Sequence, residues 1–185
     1  VVHAAPILAT DFGAAHTVVS MGGAGFPQPG AFSFGGLGFS EASTGSGGPG
    51  WRNLTSAGYG FTDNAGISDI RIDFGGSFQK VGFDLHVGTA DYLTSFFDAN
   101  DILLGTVATH LNGNRASSFV GWESAAGVAR LRILETSGDN GSVGGFDNVR
   151  FEAGTAAAVP EPASLALVMA GFAAAVLTAR RRKSA

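Results

Sequence analysis

The sequence predicts an all-β fold, an antiparallel β-sandwich of the jelly-roll kind, followed by a single C-terminal transmembrane helix. Three observations carry this. From Ile70 onward apolar residues recur at every second position, the period of a half-buried strand. Clusters of Gly, Asn and Asp interrupt these runs every ~8–14 residues, the rhythm of short strands joined by turns. Ala163 to Ala179 carries no charge and runs straight into Arg180, Arg181, Arg182 and Lys183.

The strands are expected in the following order. Ile7–Phe12 reads as a first strand, and 22–50 as loop-rich, with STGSGGPG (43–50) an exposed connection. Ile70, Ile72 and Phe74 alternate with polar neighbours. Val81, Phe83, Leu85 and Val87 alternate with Gly82, Asp84 and His86 on the other face. Short strands follow at Thr94–Phe97, Leu103–Ala108 and Ser118–Trp122. Leu131 and Ile133 then alternate with Arg130 and Arg132, and Gly145–Phe151 closes the series. The turns are Asp98–Asp101, Asn112-Gly113 and Ser137–Gly141. No long helical period precedes residue 160. The organisation is therefore a β domain at 1–152, a linker at 153–158 and a tail at 159–185.

Composition agrees with one sandwich domain. The chain has 185 residues, 45% hydrophobic and 14% charged, with 29 Gly and 15 Phe. Gly plus Pro is 35 residues (29 and 6), or 19%, below the ~25–30% of a low-complexity chain, and the phenylalanines supply a core. There is no Cys, which excludes disulfides, thiolate metal sites and a Cys nucleophile. The net charge of −4 is uneven. Residues 1–152 hold seven Lys/Arg against fourteen Asp/Glu, whereas 153–185 hold four against one. The domain has no basic patch for phosphate, so nucleic acid is not an expected partner.

The ends point to export. Val2-His3-Ala4 fits the small-x-small pattern next to a signal-peptidase cut, read against an ordinary strand lead-in. The 17 residues 163–179, as a helix at ~1.5 Å per residue, span about 25 Å, near the lower limit for a ~30 Å hydrocarbon core. Pro162 suits a helix start, no polar face exists, and Arg180–Lys183 would stay cytoplasmic. A buried core helix is the other reading, and it seldom ends in RRRK.

Pro160-Glu161-Pro162, the oily stretch with Gly171 inside it, and the cluster Arg180, Arg181, Arg182 and Lys183 together resemble the PEP-CTERM protein-sorting signal. The resemblance implies export in a Gram-negative bacterium, recognition by an exosortase and cleavage at or near Pro160–Pro162. It also implies a final place on the cell surface or in an exopolysaccharide or biofilm matrix. The membrane is then a partner at least transiently, by the logic of a cleavable anchor signal. The stretch from Lys80 to Glu152, with Gly145-Phe146-Asp147-Asn148-Val149-Arg150-Phe151 as its most specific piece, resembles the β-sandwich domains found upstream of such tails. These are similar to carbohydrate-binding-module jelly rolls. Asp101 departs from that pattern, where the turn more often holds Gly. The same likeness implies a structural calcium ion between first and last strands, at Asp11 and Asp147, as hard oxygen ligands allow. The other reading of Asp147 is a bond to backbone.

For catalysis the residues offer little. Ser77–Lys80 matches S-x-x-K, but in a strand the two point to opposite faces. His3, His16, His86 and His110 form no metal-binding spacing. Asp63, Asp91, Asp98, Asp101 and Asp139 read as turn residues, and no carboxylate pair stands out for a glycosidase. Sugar stacking would need flat aromatics. Trp51 and Tyr59, in a Gly-rich loop region, are the chosen candidates, ahead of Tyr92 and Trp122. The leading function is a non-catalytic structural, adhesive or polysaccharide-binding role. The rivals are an extracellular polysaccharide hydrolase and a permanently membrane-anchored envelope protein.

Overall fold

A computed structural model describes residues 4–21, 31–41, 50–54, 58–62, 69–86, 89–113, 116–138 and 144–154; at 41, 50–54, 58–62, 138 and 144 it describes backbone only. The strands are β1 (Ala4–Pro6), β2 (Thr17–Val19), β3 (Phe32–Phe34), β4 (Leu37–Glu41), β5 (Gly50–Leu54), β6 (Gly58–Thr62), β7 (Asp69–His86), β8 (Ala90–Phe97), β9 (Leu103–Leu111), β10 (Ser117–Gly138) and β11 (Gly144–Glu152). All pair antiparallel, in the order β5-β6-β11-β7-β10-β8-β9. The all-β antiparallel expectation holds. No helix among the described residues is long and apolar enough to cross a membrane. The run 163–179, with all of 155–185, lies outside the described residues.

Two strands differ in length from the sequence expectation. β7 joins the runs at Ile70–Phe74 and Val81–Leu85, and β10 joins Ser118–Trp122 to Leu131–Ile133. Each strand turns a corner rather than ending. Register breaks fall in β10 between Glu123 and Val128 and between Val128 and Arg130. Gly75 and Gly127 have φ of +67° and +79°, where an L side chain is strained. The first half of β7 pairs with β4 and with the far half of β10, which continues to β8 and β9. The second half of β7 pairs with β11 and the near half of β10, which also carries β1.

These halves face each other as two layers. Phe96 on β8 stacks on Trp122 at 5.4 Å, and Phe39 on β4 stacks on Phe146 of β11 at 5.8 Å. Phe74 meets Phe151 edge-on at 5.9 Å. The alternating residues Ile70, Ile72, Phe74, Val81, Phe83, Leu85, Leu131 and Ile133 all fall in this one core. Gly105 is glycine because a Cβ there would stand 2.1 Å from the Trp122 ring.

The N-terminal region departs from the expected strand at 7–12. β1 precedes it, Ile7 N–H still donates to Gly121 C=O at 3.2 Å, and then Ala9–Asp11 forms a 3-10 turn. The Asp11 carboxylate accepts from Leu8 N–H at 2.7 Å, closing that turn locally. The loop-rich region contains a hairpin, β3–β4. The Asp98–Asp101 turn is as expected. Asp98 Oδ1 accepts from Asn100 and Ile102 N–H at 2.8 and 2.9 Å. Asp101 has φ of +62°, which explains the preference for Gly at that position. The compact unit that holds the strands ends at Gly154.

Candidate functional site

The layer β4-β7-β10-β8-β9 has an inner, apolar face and an outer face. On β8 the burial alternates strictly, so Ala90, Tyr92, Thr94 and Phe96 point inward, and Asp91, Leu93, Ser95 and Phe97 outward. On β10 the outward pair is Arg130 and Arg132, and on β7 it is Arg71 and Asp73. Register puts Arg130 between Asp73 and Phe97, and Arg132 between Arg71 and Ser95. Period-two patterning and antiparallel pairing thus deliver three guanidinium groups to one patch.

The patch is a shallow cleft of about 310 Å³ lined by Arg71, Phe97, Asp101, Arg130 and Arg132. Arg130 lies deepest, at 22% side-chain exposure, and its Nε donates to Asp73 Oδ1 at 2.5 Å. Its Nη1 pairs with Asp101, delivered by the left-handed turn residue of the β8–β9 hairpin. Arg132 is clamped by Asp69 through two parallel bonds, Nε and Nη2 to the two carboxylate oxygens, both at 2.7 Å. These bonds, opposed by burial, raise the Arg132 pKa, so its charge is fixed. Arg71 is held more loosely. Its Nε stands 3.5 Å from Asp73 Oδ2 without hydrogen-bond geometry, and its Nη2 is 4.0 Å from Asp101. Three arginines therefore face three aspartates, and the cleft has no formal charge. It offers forked donors, carboxylate acceptors and a half-buried aromatic ring, Phe97, in one place.

A second cleft of about 410 Å³ lies on the same face, beside Asp91, Leu93, Ala108, His110 and Thr136. Asp91 and His110 are cross-strand partners, with His110 Nδ1 2.7 Å from Asp91 Oδ1. A carboxylate only accepts, so Nδ1 carries the proton. Ser137 Oγ donates to Asp91 Oδ2, and Thr136 Oγ1 donates to the Asp91 carbonyl at 3.2 Å. The Ser137 bond, then the His110 bond, lower the Asp91 pKa from its ordinary 3.8.

The residues singled out in the sequence are distributed differently. Tyr92 and Trp122 belong to the core, at 2% and 7% exposure, and are not surface platforms. Burial and the neighbouring Glu135 push the Tyr92 phenol well above its usual range. Trp51 and Tyr59 stand in a β5–β6 hairpin rather than a loop, at register positions opposite Phe61 and Asn53, and their side chains are outside the described residues. Asp91 stands in a strand, not a turn. Ser77 and Lys80 are not brought together: Lys80 Nζ donates to the Asp11 carbonyl at 2.6 Å.

Asp11 and Asp147 each have local work. Asp147 Oδ1 accepts from Met21 N–H and Asn148 N–H, both at 2.7 Å, and from Ser20 Oγ at 3.3 Å. Asn148 Nδ2 and both Arg150 Nη atoms reach across to Asp84 at 2.8 to 3.0 Å. The closing motif thus ties β11 to β7 and to the segment after β2. Among the described residues no three His, Cys, Asp or Glu groups gather to hold a metal ion. The motif Pro160–Pro162 and the cluster Arg180–Lys183 lie outside the described residues.

Those last residues are recognised in another way. Residues 158–183 match the PEP-CTERM protein-sorting motif. The PEP-CTERM tail therefore spans the triplet, the oily run and the basic cluster read in the sequence. No curated protein matches the chain. Among solved structures, a family 29 carbohydrate-binding module complexed with mannohexaose is similar, at 11% identity and a TM-score of 0.43, over 74% of this chain and 90% of that one. The cleaved adhesin domain of Lys-gingipain from Porphyromonas gingivalis is 12% identical, with a TM-score of 0.37, over 82% and 98%. The enzymatically active domain of a bacteriophage tailspike protein is 11% identical, with a TM-score of 0.36, over 75% and 19%.

The arginine cleft escaped the sequence reading. Arg130 and Arg132 were legible as the outward half of a strand. Their convergence with Arg71, Asp73 and Asp101 depends on register across three strands and on one turn residue, which no local pattern encodes.

Proposed function

We propose that this is an exported, non-catalytic protein of the cell surface or extracellular matrix that binds neutral polysaccharide on the outer face of its sandwich. The observation that carries it is the charge-balanced cleft of Arg71, Arg130, Arg132, Asp69, Asp73 and Asp101 beside Phe97. Vicinal hydroxyls are donors and acceptors at once, and they match paired guanidinium and carboxylate groups. An anionic polymer would meet three aspartates. The half-buried Phe97 ring gives the apolar face of a sugar an apolar neighbour to pack on. The PEP-CTERM tail supports the location, with an exosortase as processing partner. Trp51 and Tyr59 are proposed as further aromatic contacts.

A hydrolase reading has one observation in its favour, the convergence of Asp73 and Asp101 on Arg130. A general acid, however, needs a carboxyl kept protonated, usually by an apolar pocket. Asp73 and Asp101 stand instead in an open cleft among guanidinium groups.

Affinity electrophoresis through gels of neutral glucan, mannan, galactan and xylan, with alginate as the anionic comparison, tests the proposal. Retardation in a neutral gel, abolished by Arg130→Met, is expected. Loss of the charge-assisted hydrogen bonds that Arg130 would give to a sugar costs about 1.5–3 kcal/mol, or roughly ten- to hundredfold in affinity. Retardation in alginate alone, or none anywhere, overturns it.

A further inference from the structure

The two clefts are not independent features of the surface. Phe97 lines one and Asp91 lines the other, and both are outward residues of the same strand, β8. Six residues separate them, about 20 Å at ~3.3 Å per residue. Leu93 and Ser95 lie between them and also face outward. Their cross-strand partners on the same face are Ala108 and Thr106 of β9, and Leu134 and Arg132 of β10. Ala108 and Thr106 are exposed, and Leu93 and Ser95 are half-buried. Apart from Arg132, which belongs to the arginine cleft, small and apolar side chains thus pave the interval, with no charged group on β8 between its ends.

Each end is chemically equipped. The arginine end offers donors from Arg71, Arg130 and Arg132. The other end offers a ring nitrogen. His110 is bonded through Nδ1 to Asp91, and its Nε2 has no partner among the described residues, so that nitrogen is left to pair with a ligand hydroxyl. Asp91, itself held by Ser137, fixes the ring, so the nitrogen is held in place before any ligand arrives.

We infer that the ligand is an extended chain lying along β8, held by the arginine cleft at one end and by His110 and Asp91 at the other. The inference rests on the polysaccharide reading above and narrows it: the face takes an internal stretch of a neutral polymer, not a single terminal sugar. Binding should then grow with chain length until the interval is spanned.

Isothermal titration of the full 185-residue chain with cello- and manno-oligosaccharides, from disaccharide to hexasaccharide, is the test. The hexasaccharide is expected to bind at least about tenfold more tightly than the disaccharide. His110→Ala should lower hexasaccharide affinity about tenfold, the worth of one well-placed hydrogen bond, and leave the disaccharide unchanged. Ala108→Arg, at an exposed position on the path beside Leu93, should also remove the length advantage by obstructing it. Its melting temperature should match the parent, which keeps the test valid if His110→Ala loosens the hairpin. Equal affinity for both lengths, or variants that weaken both equally, would overturn the extended-chain inference and leave the arginine cleft as a single-sugar site. Absence of binding at every length overturns the inference together with the reading beneath it.

Discussion

Asp91 joins three strands through its side chain as well as its backbone register. It sits on β8, pairs with His110 of β9 and accepts from Ser137 of β10. Both bonds favour its ionised form, so its pKa in the folded chain lies below the ordinary 3.8. The unfolded chain therefore takes up this proton first as pH falls. The stabilisation is present above pH 3.8 and is lost as pH drops through the lowered folded-state value. Asp91→Asn should accordingly melt below the parent near neutral pH, and the gap should close in acid. Melting curves collected across that range check this; a gap independent of pH would mean that the carboxylate charge contributes nothing. Individual side chains were unevenly legible in the sequence. Phe83 and Ile133 announced their burial by period alone. Asp91 read as a turn residue because Asp prefers turns, and only the register with His110 gives it a strand role. Tyr92 and Trp122 ranked behind Trp51 and Tyr59 as surface candidates, and their parity on β8 and β10 places them in the core.

Elements were legible where their pattern is local and hidden where it is not. Among the described residues the alternating runs became strand, and the Asp98–Asp101 turn formed as its residues required. What the pattern could not reveal is that β7 and β10 each run on through a corner. A Gly with positive φ reads equally well as the end of a strand or as a bulge within one, and the choice is made by the opposing strand. Ser77 makes that choice visible at Gly127: a Cβ there would stand 2.0 Å from Ser77 Oγ, with φ at +79°. Gly127→Ala should cost about 2 kcal/mol or more, from left-handed strain plus the clash. For a chain of this size that lowers the melting temperature by roughly 4–8 °C. Adding Ser77→Gly should recover only the clash. Full recovery in the double variant would show that φ contributes nothing at this corner.

Export and sandwich are joined in one chain by a tail whose dimensions are themselves informative. The 17 uncharged residues Ala163–Ala179 reach about 25 Å as a helix, short of a ~30 Å hydrocarbon core, with four basic residues immediately behind. Such a segment holds a chain in the bilayer only marginally, which suits an address that is read and removed better than an anchor meant to last. The PEP-CTERM match over 158–183 covers the same residues, with Pro160–Pro162 on the domain side of the uncharged run. Intact-mass measurement of the protein from its native cells, comparing membrane with surface and medium, decides the matter. The expected product ends near Pro160–Pro162 and is found outside the membrane. A mass that retains Ala163–Ala185, recovered from membranes alone, would make the tail a permanent anchor, and the sandwich a tethered module of the envelope.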